Sequence, residues 1–205
     1  MRDQATDLDI EKNNLYEIYI DSNEIKTHRD FKMPELYVPF DFDGKRILWM
    51  EYREGDVKEF QFYDLGAKKI IPVKNFGNDY HFLSFGRIVR KDIIFVENNK
   101  NVKLFNMENN SVRDLYSHTS SIIAFDVIGR ENETYQLASV DFNGVYQEWK
   151  NDNISRKENL WTCKNVPEEI RKHQYLFDMG YPYYLKVFDS VVAITTDLGL
   201  CIFRL

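Results

Sequence analysis

Apolar and polar residues alternate most clearly between Leu137 and Asp152, where the chain reads LASVDFNGVYQEWKND. Asn143 and Gly144 interrupt the alternation, and an asparagine-glycine pair between two alternating runs is typical of the tip of a β-hairpin. The pattern therefore predicts two antiparallel strands here. The same kind of pattern occurs at other places in the chain.

Four segments combine a turn of Gly, Asn or Asp with a strand that ends on an aromatic or bulky residue. They are EGDVKEFQFYDL, NKNVKLFNME, FNGVYQEWKN and DLGLCIFRL. When Tyr63, Asn106 and Trp149 are taken as equivalent positions, both intervals are 43 residues long. A weaker copy, NLYEIYID, places Tyr19 44 residues before Tyr63, and the last copy places Arg204 55 residues after Trp149. The last interval is therefore longer than the others.

Each interval contains further strand-like runs, which amount to four short strands per period. The runs lie at 36–42, 46–52, 68–74, 81–89, 92–97, 111–116, 121–128, 135–140, 153–158, 183–189 and 190–196. Four antiparallel strands every 40 to 45 residues or so is the pattern of a propeller blade. The predicted fold class is an all-β propeller with about four to five blades' worth of strands.

The domain prediction separates a flexible acidic N-terminus, residues 1–13, from a propeller over residues 14–205. A short helical insertion is predicted near 166–173, VPEEIRKH, inside the lengthened interval. Pro167 suits the first helical position, and acids precede bases as the helix dipole favours.

The third full repeat, SHTSSIIAFDV followed by YQLASVDFNGVYQEWKND, resembles the WD40 repeat family of β-propellers. The resemblance implies a buried hydrogen-bonded relay of His118, Ser139 and Trp149, with the acid at Asp141 or its place taken by Asn143. The other repeats lack the family's Gly-His pair, so the resemblance is to a divergent member.

The number of blades stays open, because a seven-bladed WD40 ring at this period needs about 300 residues. Either the ring is unusually small, or the chain is a fragment of a longer protein, or a partner protein supplies the remaining blades.

Composition narrows the class of protein. Of the 205 residues 43% are hydrophobic and 15% aromatic, which is typical of a folded chain. The net charge of -6 does not favour direct binding of nucleic acid, since a duplex-binding surface carries a basic excess.

Cys163 and Cys201 stand far apart and the four histidines show no ligand spacing, so we expect no metal, no cofactor and a reducing compartment. The N-terminus does not resemble a signal peptide and no apolar run is long enough to span a bilayer, so we expect a cytoplasmic or nuclear protein without a membrane segment.

Two groups of residues are candidates for partner binding. Asp79 lies in the predicted turn FGNDY and His81 opens the strand that follows it, and loops often carry binding residues. Tyr181, Tyr183 and Tyr184 form an aromatic cluster that suits a protein-binding hot spot. The alternative for His81 is an exposed strand start, and the alternative for the tyrosines is core packing.

Catalytic motifs are missing from the sequence: GxSxG, GxGxxG and GxxxxGK[ST] do not occur, and Asp141 and Asp197 stand in turns, where aspartate caps the backbone. The expected function is that of a noncatalytic protein-protein interaction scaffold in an intracellular complex. One alternative is an accessory subunit of an RNA-modifying or RNA-processing enzyme. The other is a propeller enzyme with a site in the central channel.

Overall fold

The computed structural model describes residues 15–19, 24–28, 37–52, 58–73, 83–129, 135–162, 164–172, 184–196 and 199–205. Over these ranges the chain is almost entirely β-strand. The first strands are β1 (Leu15–Tyr19), β2 (Glu24–His28), β3 (Tyr37–Phe42), β4 (Arg46–Tyr52), β5 (Lys58–Asp64) and β6 (Lys69–Pro72). Next come β7 (Leu83–Val89), β8 (Asp92–Glu97), β9 (Asn101–Asn106), β10 (Ser111–Ser117), β11 (Ile122–Gly129), β12 (Gln136–Asp141), β13 (Val145–Lys150) and β14 (Asn153–Asn159). The last are β15 (Tyr184–Phe188), β16 (Val191–Thr196) and β17 (Gly199–Arg204).

The helix found in the described residues, α1, spans Glu168–Lys172 and lies inside the segment predicted to be helical. It is too short and too polar to cross a membrane, and no other described segment forms a helix that could.

The strands form five antiparallel sheets in the order of the chain. Sheet A is the pair β1-β2, sheet B is β3-β4-β5-β6, sheet C is β7-β8-β9-β10, sheet D is β11-β12-β13-β14 and sheet E is β15-β16-β17. The predicted all-β fold class with four strands per repeat is therefore confirmed over sheets B, C and D. Of the two strands predicted before the first four-strand set, only β1 had a predicted range, and β2 is the other.

The first strands of successive sheets lie beside one another, because β3 contacts β7, β7 contacts β11 and β11 contacts β15. This is the arrangement of propeller blades around an axis, with the first strand of each blade innermost. Strands β3, β7 and β11 each contain a β-bulge or irregularity, between residues 39 and 41, 84 and 86, and 122 and 124. A bulge bends a strand and turns the side chains that follow it.

The third strands of sheets B to E carry an aromatic residue at one common position, opposite the second residue of the preceding strand. The residues are Tyr63, Phe105, Trp149 and Phe203, paired with Ile47, Ile93, Leu137 and Val192.

The predicted equivalence of Asn106 and Arg204 with Trp149 is therefore wrong by one residue. Strand β5 has seven residues and β9 has six, and a constant spacing along the chain cannot detect that difference. Asn106 instead begins a turn, where its Oδ1 accepts hydrogen bonds from the backbone of Glu108 and Asn109.

Sheets C and D are covered on both faces. The second strand of each, β8 and β12, is buried at five of six positions, and the largest apolar cluster joins residues of sheets C, D and E. Successive side chains of a strand point to opposite faces of its sheet, so burial of nearly every position indicates that both faces are covered.

Candidate functional site

A sealed polar relay connects sheet C to sheet D. His118 lies in the loop between β10 and β11, where its Nε2 is 2.8 Å from Ser139 Oγ and its Nδ1 is 3.2 Å from Asp141 Oδ2. The hydroxyl of Tyr116, on β10, is 2.8 Å from the same Ser139 Oγ. The structure thus brings three of the predicted relay residues together and adds Tyr116.

The contacts of the relay form one chain of hydrogen bonds. Burial raises the pKa of Tyr116 far above its ordinary value and outweighs the opposing hydrogen bond to Ser139, so the phenol keeps its hydrogen. Every contact is satisfied when Tyr116 donates to Ser139, Ser139 donates to Nε2 of His118 and His118 donates from Nδ1 to Asp141. Buried polar groups satisfied in this way stabilise the contact between two sheets.

Asp141 also holds the hairpin tip, because its Oδ1 accepts hydrogen bonds from the backbone N–H groups of Asn143 and Val145 at 3.0 and 2.9 Å. The acid of the relay is therefore Asp141, and Asn143 donates to it from its backbone.

Trp149 lies apart from the relay that was predicted for it. Its ring stacks on Tyr135 at 5.7 Å, and the position on Ser139 is taken by the phenol of Tyr116.

The order serine, histidine, aspartate is also that of a hydrolase triad, but here the side chains are shut off from solvent. His118 and Asp141 expose 0% of their side chains, and Ser139 is fully buried. A nucleophile must contact the carbon that it attacks, and no substrate reaches this serine. The geometry therefore suits a structural clamp.

A second polar set, the inner-strand network, connects the innermost strands around the axis. Asp41 on β3 accepts a 2.7 Å hydrogen bond from the backbone of Ile88 on β7. Arg87 donates from Nε to Asp126 on β11 at 3.2 Å and from Nη2 to the carbonyl of Phe125. Lys186 on β15 donates to the other oxygen of Asp126. Sheets B, C, D and E are thus linked, each to the next.

An enzymatic site in the central channel would need several carboxylates or histidines that converge from different blades. The inner-strand network lies on the innermost strands, where such a site would be. Among the described residues, no group of three or more His, Cys, Asp or Glu side chains is placed to hold a metal ion. Both carboxylates of the inner-strand network already accept hydrogen bonds from neighbouring strands. The arrangement is therefore suited to fixing the angle between blades.

We expect Asp126→Asn to lower the free energy of unfolding by about 1–3 kcal/mol, because a nearly buried arginine loses its charged acceptor. The matched control is Asp152→Asn, whose pair with Arg113 is largely exposed and contributes about 1 kcal/mol or less. Urea unfolding of both variants measures the difference. Equal losses would contradict a role of the network in stability.

The last sheet has one face packed and one face open. Leu185, Val192, Ile194 and Cys201 are buried, whereas their neighbours along each strand point outward. The open face is made by Tyr184, Lys186, Phe188, Val191, Ala193, Thr195, Leu200, Ile202 and Arg204, which form three cross-strand rows.

Four large apolar side chains dominate this open face. Tyr184 is 70% exposed, Phe188 62%, Leu200 54% and Ile202 63%. They are more exposed than any other large hydrophobic residue of the described chain. Exposed large apolar side chains gathered on one face make that face a candidate interaction site.

The candidates for partner binding are only partly placed. Tyr184 begins β15 and belongs to the open face, whereas Asp79, His81, Tyr181 and Tyr183 lie outside the described residues, as does Asp197. Leu200 and Ile202 were not singled out from the sequence, because they alternate with Cys201 and Phe203 and therefore resemble a strand buried on both faces.

Comparison with known proteins shows the fold and no more. No protein-family model matches the chain, and no curated protein matches it. Solved structures do match, and among them is the computationally designed protein Ika4, at 12% identity and a TM-score of 0.51 over 80% of this chain and 88% of that one.

Two natural proteins match at the same TM-score of 0.51. One is a chain in the S. cerevisiae complex of Dbp5 with Nup159 and Gle1, at 14% identity over 85% of this chain and 42% of that one. The other is the extracellular domain of the hybrid two-component system BT4673 from B. thetaiotaomicron, at 13% identity over 94% and 25%. The chain thus spans less than half the length of both natural chains.

Sheet order, inner-strand contacts and these matches together define an all-β protein of propeller-like fold.

Proposed function

We propose that the chain is a divergent WD40-like propeller that serves as a noncatalytic interaction scaffold in an intracellular complex, and that the open face of sheet E is its docking surface. The observation that carries the proposal is the contrast between sheets. Sheets C and D are covered on both sides, while sheet E presents four large apolar side chains to solvent. Covering such a face removes apolar area from water, which is the main driving force of protein association.

The occupant that we propose is a β-sheet of another protein, packed face to face as the sheets of this chain pack on each other. Lys186 and Arg204 supply the charges of the open face, and both are positive. Lys186 is already paired with Asp126, so Arg204 is the cation that a carboxylate on an otherwise apolar partner face complements. A second copy of the chain fits less well, because the residues that form the open face include no carboxylate to meet Arg204.

The WD40-like assignment draws its support from the repeat and from the relay. The aromatic residues of the third strands recur at intervals of 42 and 44 residues from Tyr63 to Phe105 to Trp149. The relay of His118, Ser139 and Asp141 contains three of the four residues that the family resemblance implies, without Trp149.

The substitution Ile202→Glu tests the docking surface. Ile202 lies in the middle row of the open face and is 63% exposed, so the change should leave the urea unfolding midpoint nearly unaltered. Binding of a partner purified with the wild-type chain should weaken about tenfold or more, because a buried carboxylate would face an apolar sheet.

The matched control is Ile154→Glu, an exposed isoleucine on β14. It should keep wild-type affinity in the same titration. Equal binding by wild type and Ile202→Glu would contradict the docking surface. A wild-type chain that forms a dimer through sheet E in light scattering would assign the face to a second copy.

A further inference from the structure

A pocket opens between sheets B and C, away from the open face and the relay. Its volume is about 310 Å³, and its walls come from the start of β4, from β5, β6 and β9, and from the residues that follow β6 and β9. The lining residues are Arg46, Phe62, Ile71, Pro72, Val73, Phe105, Met107 and Asn110. For scale, an apolar cavity of about 150 Å³ is large enough to hold a benzene ring.

The pocket is an accessible edge of the core between the two sheets. Phe62 and Phe105 belong to a buried cluster, and Ile71, Val73 and Met107 are partly buried side chains packed against it. An apolar group that enters the pocket therefore extends an existing core and leaves water on doing so.

Arg46 adds a cation at the edge of this apolar surface. Its guanidinium lies over the ring of Phe62 at 4.5 Å and is fixed by Asp43, through Nε at 2.9 Å and Nη2 at 2.7 Å. A guanidinium has five N–H donors, so three remain beyond this pair. Asn110, in the turn after β9, also lines the pocket.

The charge of Asp43 is already well satisfied. Burial opposes its ionisation, but hydrogen bonds from the backbone and guanidinium of Arg46 and from the backbone of Lys45 outweigh burial and lower the pKa of Asp43. Because these donors hold the carboxylate, Asp43 orients Arg46 and leaves its remaining N–H groups for an incoming acceptor.

The wall strand β6 is the last strand of sheet B within the described residues. An outer strand offers backbone N–H and C=O groups to an extended chain, although Pro72 removes one donor. A peptide can use this edge as well as the pocket, which favours a peptide over a free small acid.

We propose that this pocket binds a short peptide segment of another protein in which a bulky apolar side chain stands next to a carboxylate. The apolar side chain fills the space against Phe62, Phe105 and Met107, and the carboxylate accepts hydrogen bonds from Arg46. This site is independent of the proposed docking surface on sheet E.

The experiment is selection of a random heptapeptide library displayed on phage against the purified full-length chain. The same library is selected in parallel against Arg46→Gln and against Arg113→Gln. Arg113 is the matched control, because it is an exposed arginine paired with an aspartate, Asp152, and lies outside the pocket.

We expect wild type and Arg113→Gln to enrich the same motif, with Phe, Leu or Met beside Asp or Glu. A synthetic peptide of that motif should bind Arg46→Gln at least about tenfold more weakly than wild type, since it loses a charge-assisted hydrogen bond. A neutral peptide with Gln in place of the acid should lose about as much on the wild-type chain.

Three results would overturn the proposal: no enriched motif, a motif without a carboxylate, or equal binding by wild type and Arg46→Gln. The sheet E variant Ile202→Glu should bind the peptide normally. The peptide experiment can therefore contradict the pocket proposal without contradicting the docking surface, and the reverse also holds.

Discussion

Gly144→Ala should lower the free energy of unfolding by about 2–5 kcal/mol, the sum of backbone strain and overpacking. Gly144 has φ +83°, and a Cβ there would lie 2.7 Å from Cγ and Cδ2 of Trp161 and 2.7 Å from its carbonyl oxygen. The indole cannot withdraw freely, because its Nε1 donates to the carbonyl of Phe142 at 3.2 Å. The hairpin tip at Gly144 therefore tolerates no side chain.

Gly44→Ala is the matched control for this prediction. Gly44 has a similar φ of +90°, but a Cβ there would meet nothing within 4 Å. Its cost should be the backbone strain alone, about 1–2 kcal/mol. Urea unfolding of the two variants separates strain from clash. If both variants lose the same stability, the close packing of Trp161 on the hairpin is wrong.

Asp141→Ala should lower the free energy of unfolding by about 3–5 kcal/mol, because the change leaves His118 and two backbone N–H groups without their buried acceptor. The three contacts are not additive, since they share one carboxylate. The loss should also separate sheet C from sheet D, which the relay joins. Urea unfolding measures the total, and hydrogen exchange of β12 and β13 localises it.

Two further variants keep this second prediction falsifiable. Asp114→Ala removes an aspartate whose side chain is 80% exposed and should change stability by less than about 0.5 kcal/mol. Tyr116→Phe removes one hydroxyl of the relay and should cost about 1–2 kcal/mol. An Asp141→Ala chain as stable as Asp114→Ala would show that the relay contributes nothing to folding.

Much of the fold could be predicted from local patterns. The asparagine-glycine pair predicts the β12-β13 hairpin, and the predicted strand runs agree with β3 to β17 to within one or two residues at most ends. Hairpins of this kind depend on neighbouring residues, so their signal is contained in a short stretch of chain. No range was predicted for β2, because its sequence, EIKTH, has a single large apolar residue.

The residues of the candidate sites were harder to predict, because they depend on contacts between blades. Arg87 and Asp126 come from strands of different sheets, and no local pattern shows which residues of two neighbouring blades lie beside each other. Tyr116 was missed for the same reason, although an aromatic residue two positions before His118 was an available signal. Likewise, alternation cannot show that Leu200 and Ile202 lack a covering sheet.

The central claim is that sheet E docks on a sheet of another protein, and site-specific photo-crosslinking tests it most directly. Benzoylphenylalanine is placed at Tyr184, on the open face, and in a parallel chain at Ile154, on β14. The proposed function predicts that Tyr184 forms an adduct with one specific protein, mapped to a strand with apolar residues beside carboxylates, and that Ile154 does not. Adducts with another copy of this chain, or equal labelling from both positions, would contradict it.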